Sequence, residues 1–205
     1  RLRLEARTFL KRLQRELGTT TVFVTHDQAE ALALADRIAV MEAGTIRQLG
    51  TPREVFRQPA NTFTANFIGS TPMNLLSAAI RDGQVEVAGQ RAPIPARDRD
   101  HVSEGQEVVY GVRPEYVTLS RVQTPGALRG TVSIVENLGS AALVSVDCDG
   151  QIVGVTVPEG DEPDPGAEVW LTTTDARTLL YRADDGELVG SPREPASSTQ
   201  PAAVI

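Results

Sequence analysis

The stretch that decides the fold is residues 21–56, which read TVFVTHDQAEALALADRIAVMEAGTIRQLGTPREVF. Its first five residues are apolar or β-branched on both faces, so we predict a buried parallel strand over 21–25. His26 follows this strand directly. Asp27 and Glu30 then stand at the spacing of a capping box, which predicts the start of a helix. The stretch therefore predicts a strand that ends in a histidine and leads into a helix.

The rest of this stretch continues the alternation of strands and helices. Residues 38–49 predict a hairpin that turns at Ala43 and Gly44. Residues 51–54, TPRE, predict another helix start, with proline in the first turn. This order is typical of an α/β domain, although the strands are too few for a complete one. We therefore predict a partial α/β domain over residues 1–69.

Two further helices frame this stretch. An amphipathic helix with one buried stripe is predicted upstream, because apolar residues recur there at helical spacing. The stripe consists of Leu2, Ala6, Phe9, Leu10, Leu13 and Leu17. Gly18 is placed to end this helix, and Gly69 is placed to end a short helix over 61–68. Because the chain opens at Arg1 inside a helical pattern, we expect it to be part of a longer polypeptide.

Residues 70–190 lose the helical periodicity, and short β-type runs alternate there with turn signals. The predicted strands cover residues 75–80, 84–87, 107–112, 116–119, 128–135, 142–146, 152–157, 168–173 and 178–181. Many short strands at near-regular spacing are typical of a small barrel or sandwich. The remaining residues, 191–205, are rich in proline, serine and alanine and are expected to form a disordered tail.

Charge and cysteine content narrow the function classes. Residues 1–69 carry a net charge of about +3, whereas residues 70–205 carry about −10. This asymmetry indicates two modules, and the acidic second half argues against nucleic-acid binding, which needs a basic face. The single cysteine, Cys148, excludes an internal disulfide framework and fits a reducing cytosol. Lying in a turn without other soft ligands, it does not predict a metal site.

Single residues allow more than one interpretation. From spacing alone, His26 is either a polar residue at a surface turn or a catalytic group, and His101 lies in a charged loop. Arg113 and Glu115 are expected to form an ion pair or hydrogen bonds at a strand corner. The sequence also predicts a tight turn at Gly139-Ser140 and core or interface aromatics at Trp170 and Tyr181.

Residues 21–56 resemble the end of the ATPase domain of ABC importers. Residues 59–76, PANTFTANFIGSTPMNLL, resemble the junction into the regulatory domain of the carbohydrate-uptake branch, which takes up maltose-type and glycerol-phosphate-type solutes. The runs GVRPEYVTLS (111–120) and ENLGSAALVSVD (136–147) are similar to elements of the oligonucleotide-fold-like TOBE regulatory domain in the same subunits. The resemblance covers essentially the whole chain.

The resemblance implies an α+β fold with two modules. The first, residues 1–69, would be a C-terminal remnant of a P-loop-type nucleotide-binding domain. The second, residues 70–190, would be an all-β barrel regulatory domain of the oligonucleotide-binding (OB) type. In the family this domain joins two ATPase subunits and receives regulatory signals.

The resemblance also implies a role for His26. In the family, a histidine at the end of a buried strand faces the terminal phosphate of ATP, and His26 matches this catalytic switch histidine. ATP and magnesium are therefore expected as cofactors of the intact subunit. The chain itself lacks a G-x-x-x-x-G-K-[ST] phosphate loop, the glutamine loop, the LSGGQ signature and the Asp-Glu pair that holds magnesium. We expect no metal site, no bound cofactor and no ATP hydrolysis for this chain alone.

The partners and location follow from the same resemblance. The intact subunit is expected to form a homodimer, to contact transmembrane permease subunits and to lie in the cytoplasm on the inner face of the membrane. The barrel would sense a regulatory protein or a small molecule. An alternative is a stand-alone regulatory or dimerisation module without catalysis. We also expect the chain to self-associate, because the predicted strand over 21–25 lacks its sheet neighbours.

Overall fold

The computed structural model describes residues 2–191. The helices are α1 (Leu2–Leu17), α2 (Gln28–Leu34), α3 (Pro52–Arg57) and α4 (Thr62–Phe67). The strands are β1 (Ile38–Glu42), β2 (Thr45–Gly50), β3 (Asn74–Arg81), β4 (Gln84–Val87), β5 (Gln90–Pro93), β6 (Glu107–Val112), β7 (Val117–Ser120), β8 (Leu128–Asn137), β9 (Ala141–Cys148), β10 (Gln151–Pro158), β11 (Glu168–Thr173) and β12 (Thr178–Arg182). The predicted tail over 191–205 lies outside the described residues, apart from Ser191. No helix within residues 2–191 is long and apolar enough to cross a membrane.

The first helix forms as predicted, but its buried stripe does not. Gly18 ends α1 with a φ of +61° and donates its N–H to the Gln14 carbonyl oxygen at 3.0 Å. The prediction of burial is wrong, because Phe9 and Leu17 are 63% and 62% exposed. Among the described residues, no element covers the face of α1 that carries these side chains.

The buried parallel strand predicted over 21–25 is also wrong. These residues form neither a helix nor a strand, and Val22 and Val24 are 88% and 90% exposed. A parallel strand is stabilised by neighbours on both sides. No strand within residues 2–191 lies beside this segment, so its backbone has no ladder to join.

The predicted hairpin is confirmed and packs against the short helices. Strands β1 and β2 pair antiparallel and turn through Ala43 and Gly44, whose φ values of 46° and 82° fit a two-residue hairpin turn. The helix start at Thr51 forms the complete capping box. A small apolar cluster then joins the hairpin to α3 and the end of α4 through Ile38, Val40, Val55 and Ile68.

Two five-stranded antiparallel sheets form the rest of the molecule. Their strand orders are β10-β9-β8-β11-β7 and β12-β6-β3-β4-β5. Valines dominate the buried core between them, as β-branched residues pack well on a pleated surface. Together the sheets make a nearly closed barrel, which confirms the predicted all-β OB-like domain.

Side-chain amides connect the two sheets at three points, two of them along the first half of β3, which β4 leaves unpaired. Asn74 on β3 donates its Nδ2 to the Gly154 carbonyl oxygen and accepts the Gly154 N–H on Oδ1, both at 2.8 Å. The same two-bond arrangement links Gln151 to Ser77 and Gln90 to Arg129. Each amide replaces one peptide group of a missing ladder, so the barrel closes without continuous strand pairing.

The helices and the barrel share a buried junction. Ala65 on α4 packs in one cluster with Met73, Leu179 and Tyr181. The Tyr181 hydroxyl donates to the Pro59 carbonyl oxygen at 3.3 Å, and burial raises the pKa of Tyr181 above its usual value. The junction thus combines apolar contact with a directional hydrogen bond.

Candidate functional site: the His26 loop and its contact with the barrel

The loop that carries His26 is held by its own side chains. Thr25 Oγ1 accepts the Asp27 N–H at 2.9 Å and donates to Glu30 Oε2 at 3.0 Å. Asp27 Oδ1 in turn accepts the Glu30 N–H at 3.1 Å, which caps α2. The predicted capping box therefore forms in half, because the Glu30 carboxylate bonds the Thr25 hydroxyl and not the Asp27 N–H.

His26 itself is exposed at the start of this loop. Its imidazole makes no hydrogen bond to any residue in the described part of the chain. The surrounding side chains are used in fixing the loop, so the histidine ring remains open to a ligand. This exposure is compatible with both interpretations of His26, a polar residue at a surface turn and a catalytic group.

The described residues alone do not fit ATP or magnesium. Three or more His, Cys, Asp or Glu side chains that could hold a metal ion come together nowhere within residues 2–191. Lys11, the only lysine in the sequence, donates to the Leu34 carbonyl oxygen at 2.6 Å and to the Asp36 carboxylate at 2.7 Å, at the far end of α2 from His26. The described residues around His26 therefore do not form a complete phosphate or magnesium site by themselves.

Arg113 connects the barrel to the helical region. It follows β6 at a strand corner, and its side chain is 1% exposed. Nε donates to the Phe56 carbonyl oxygen at 3.0 Å, and Nη1 donates to the Ile68 carbonyl oxygen at 2.6 Å. The guanidinium also lies over the Phe56 ring, 4.0 Å from its centroid. Of the two predicted alternatives, the hydrogen bonds form, whereas Glu115 is exposed and makes no ion pair with Arg113.

One further contact carries this connection to the His26 loop. Gln28 is the first residue of α2, and its Oε1 accepts the Gly69 N–H at 2.8 Å. Gly69 follows Ile68, whose carbonyl oxygen binds Arg113. Two hydrogen bonds, one on each side of the peptide group between Ile68 and Gly69, therefore connect the His26 loop to the barrel corner. Sequence reasoning noted Arg113 but missed Gln28, because its acceptor role depends on a partner 41 residues away.

The other candidate residues have structural roles. Gly139-Ser140 lies in an exposed turn, where the Gly139 N–H donates to Asn137 Oδ1 at 2.7 Å. Cys148 is fully buried, and desolvation, with a smaller contribution from the Asp147 charge, raises the pKa of its thiol to about 11. Trp170 is half-buried on β11, and Tyr181 belongs to the junction core.

The family comparisons identify the barrel. A family model of the TOBE domain matches residues 110–180. A second model, the CysA C-terminal regulatory domain, matches residues 74–119. Between them, the two matches run from the first strand of the barrel into its last strand. The barrel is thus a regulatory domain of the TOBE class.

Individual relatives extend the similarity into the helical region. An sn-glycerol-3-phosphate import ATP-binding protein of Rhizobium johnstonii is 38% identical over 193 residues, which are 94% of this chain and 52% of that protein. The trehalose/maltose import ATP-binding protein of Thermococcus litoralis is 45% identical over 160 residues, 73% of this chain and 43% of that protein. Among solved structures, the cytoplasmic molybdate-binding protein ModG with molybdate bound has a TM-score of 0.44 at 19% identity, over 52% of this chain and 94% of that chain.

The relatives of this chain are import ATP-binding proteins, and its barrel matches TOBE-type regulatory domains, as the sequence resemblance predicted. It spans about half the length of the curated relatives it matches.

Proposed function

We propose that this chain is the C-terminal part of the ATP-hydrolysing subunit that energises ABC-type import of a sugar or related solute. The observation that carries the proposal is the extent of the similarity. An alignment that spans 94% of the chain includes both the His26 loop and the barrel. The helical region of residues 1–69 is then the end of a nucleotide-binding domain, and residues 70–190 are its regulatory domain.

In this proposal His26 is the switch histidine of the intact subunit. A neutral or charged imidazole can donate a hydrogen bond to the terminal phosphate of ATP and stabilise charge that develops during phosphoryl transfer. Its exposure and the side-chain network around it support the assignment. ATP and magnesium would be held mainly by residues outside this chain, because the described residues do not form their site.

The proposed partners follow from the same assignment. Two copies of the intact subunit would bind each other and move transmembrane permease subunits from the cytoplasmic face of the membrane. The barrel would receive a regulatory protein or a small molecule. The net charge of about −10 over residues 70–205 supports a regulatory role without nucleic-acid binding.

The test compares the two histidines of the chain in the intact subunit. We expect His26→Ala to lower the kcat for ATP hydrolysis by about a hundredfold or more, as for loss of one transition-state donor. The matched control is His101→Ala, which removes the other histidine from an exposed turn of the barrel and should leave kcat unchanged. Equal kcat values for wild type and His26→Ala would refute the assignment of His26.

A second candidate is a stand-alone regulatory or dimerisation module with no catalysis of its own. The observation that favours it is that the barrel has its own closed, valine-rich core. The two candidates differ in nucleotide binding. If the subunit read from the complete gene binds ATP and this chain does not, the catalytic role belongs to the intact subunit and the module role to the chain.

A further inference from the structure

The Arg113 side chain fixes one end of a short series of contacts whose other end is the His26 loop. Its Nη1 holds the Ile68 carbonyl oxygen, and the adjacent Gly69 N–H holds Gln28 Oε1. Gln28 stands two residues after His26 and begins α2. The peptide group between Ile68 and Gly69 therefore links the barrel corner to the His26 loop.

Gly69 is required for this contact. Its φ is +127°, a backbone conformation that residues other than glycine rarely adopt. A Cβ at this position would lie 2.6 Å from Arg113 Nη1 and 3.1 Å from the Thr71 carbonyl oxygen. The chain can bring the guanidinium against the Ile68 carbonyl only because no side chain stands between them.

Stability alone does not explain an arginine here. Arg113 Nη2 is buried and has no hydrogen-bond partner among the described residues, and such a donor costs about 1–3 kcal/mol. Burial also lowers the pKa of Arg113, which means that the charged form is held at a cost. Even buried ion pairs are often replaced by apolar residues of similar volume without loss of stability. What only the guanidinium supplies is simultaneous contact with Phe56, Ile68 and the barrel corner.

We propose that Arg113 is a positioning residue that couples the regulatory barrel to the His26 loop through Ile68, Gly69 and Gln28. A regulator that displaces the barrel corner then moves the main chain at 68–69 and, with it, the first residue of α2. The regulatory meaning of this coupling rests on the function proposed above. The coupling itself is a property of this chain and is measured without ATP.

The first experiment uses the full chain and nuclear magnetic resonance. We expect Arg113→Lys to speed hydrogen exchange at the Gly69 amide by about tenfold and to shift the ring signals of His26, because lysine cannot hold both carbonyl oxygens. The His101 ring signals serve as an internal reference and should not move. The matched control is Arg177→Lys, which replaces an arginine stacked 4.5 Å over Tyr116 at the same corner. It should leave Gly69 and His26 unchanged.

The second experiment measures the same coupling in the opposite direction, since coupling between two sites is reciprocal. Gln28→Ala should shift the Nε–H signal of Arg113, and Gln28→Glu, which keeps the acceptor, should restore it. Both Gln28 variants alter a half-exposed residue, so they remain informative if Arg113→Lys does not fold. The proposal would be overturned if the Arg113 Nε–H signal did not shift in Gln28→Ala. It would also be overturned if the His26 signals did not shift in folded Arg113→Lys protein. Either failure leaves the kcat test of His26 untouched.

Discussion

The Cys148 thiol is a buried group whose ionisation is controlled by the fold. It lies on β9 with no exposed surface, and burial raises its pKa from 9.0 to about 11. The folded protein therefore keeps this proton in a pH range where the unfolded chain has lost it. Folding stability falls as the pH rises from about 9 towards 11, since the unfolded state binds fewer protons there.

We expect the Cys148→Ala variant to lack this part of the pH dependence. Between about pH 8 and about pH 10, the wild type should lose roughly 1–2 kcal/mol more stability than the variant. Urea unfolding at the two pH values measures the difference. Tyr181 titrates equally in both proteins and cancels in the comparison. Parallel pH profiles would show that the thiol is not shielded as the structure indicates.

At Arg113 the sequence predicted the kind of interaction but not its partners. The expectation for Arg113 was an ion pair or hydrogen bonds at a strand corner, and Arg113 lies at such a corner. Its acceptors are the carbonyl oxygens of Phe56 and Ile68, 57 and 45 residues away. Every residue has such a carbonyl, so sequence carries no signal for which one is used. His26, by contrast, was found through the resemblance of the residues around it.

Strands and their pairing show where sequence patterns succeed and fail. The antiparallel strands of the barrel follow the predicted ranges closely, because short β-type runs separated by turn signals mark them in the sequence. Strand β5 was missed, since QRAP has low β propensity and ends in proline. Its signal was the preceding Ala88-Gly89 pair, whose φ values of 48° and 68° form the same kind of turn as Ala43-Gly44. The strand prediction for residues 21–25 was wrong for another reason. Their apolar pattern predicts burial, but it does not show which element would bury them.

The amide contacts between the sheets give a test at the level of elements. In the Asn74→Asp variant, the carboxylate keeps an acceptor for the Gly154 N–H but loses the donor to the Gly154 carbonyl oxygen. We expect a loss of about 1–3 kcal/mol in stability at neutral pH. The deficit should shrink as the pH falls through the pKa of the new carboxyl group, because the protonated form can donate again.

Urea unfolding of the wild type and the Asn74→Asp variant at neutral and acidic pH measures this effect. Asn74→Ala is the control, because it removes both hydrogen bonds and has no group that titrates. Its deficit should not vary with pH in the same range. A pH-independent deficit for Asn74→Asp would mean that the Gly154 carbonyl oxygen does not need this donor.

At the scale of the molecule, exposed large apolar side chains of the described residues occur most densely along residues 9–24. Phe9, Leu17, Val22, Phe23 and Val24 are all more than half exposed. Exposed apolar patches mark interaction sites or aggregation liabilities. We therefore predict that the chain self-associates at micromolar concentration, through this surface, through the barrel, or through both.

Light scattering measures the mass, and a double variant separates the routes. Val22→Ser with Val24→Ser should reduce the association if it runs through the segment over 21–25. An unchanged mass above that of one chain would place the contact on the barrel or on α1. A wild-type mass of one chain at micromolar concentration would contradict the prediction of self-association.

The measurement that tests the account most directly is magnesium-dependent ATP hydrolysis by this chain and by the intact subunit, side by side. His26 lies on a loop that is fixed by side-chain hydrogen bonds, but the described residues contain no group of side chains that could hold a metal ion. We expect turnover by the intact subunit and, for this chain, a rate no higher than that of its own His26→Ala variant. Turnover by the chain well above that variant would contradict this expectation.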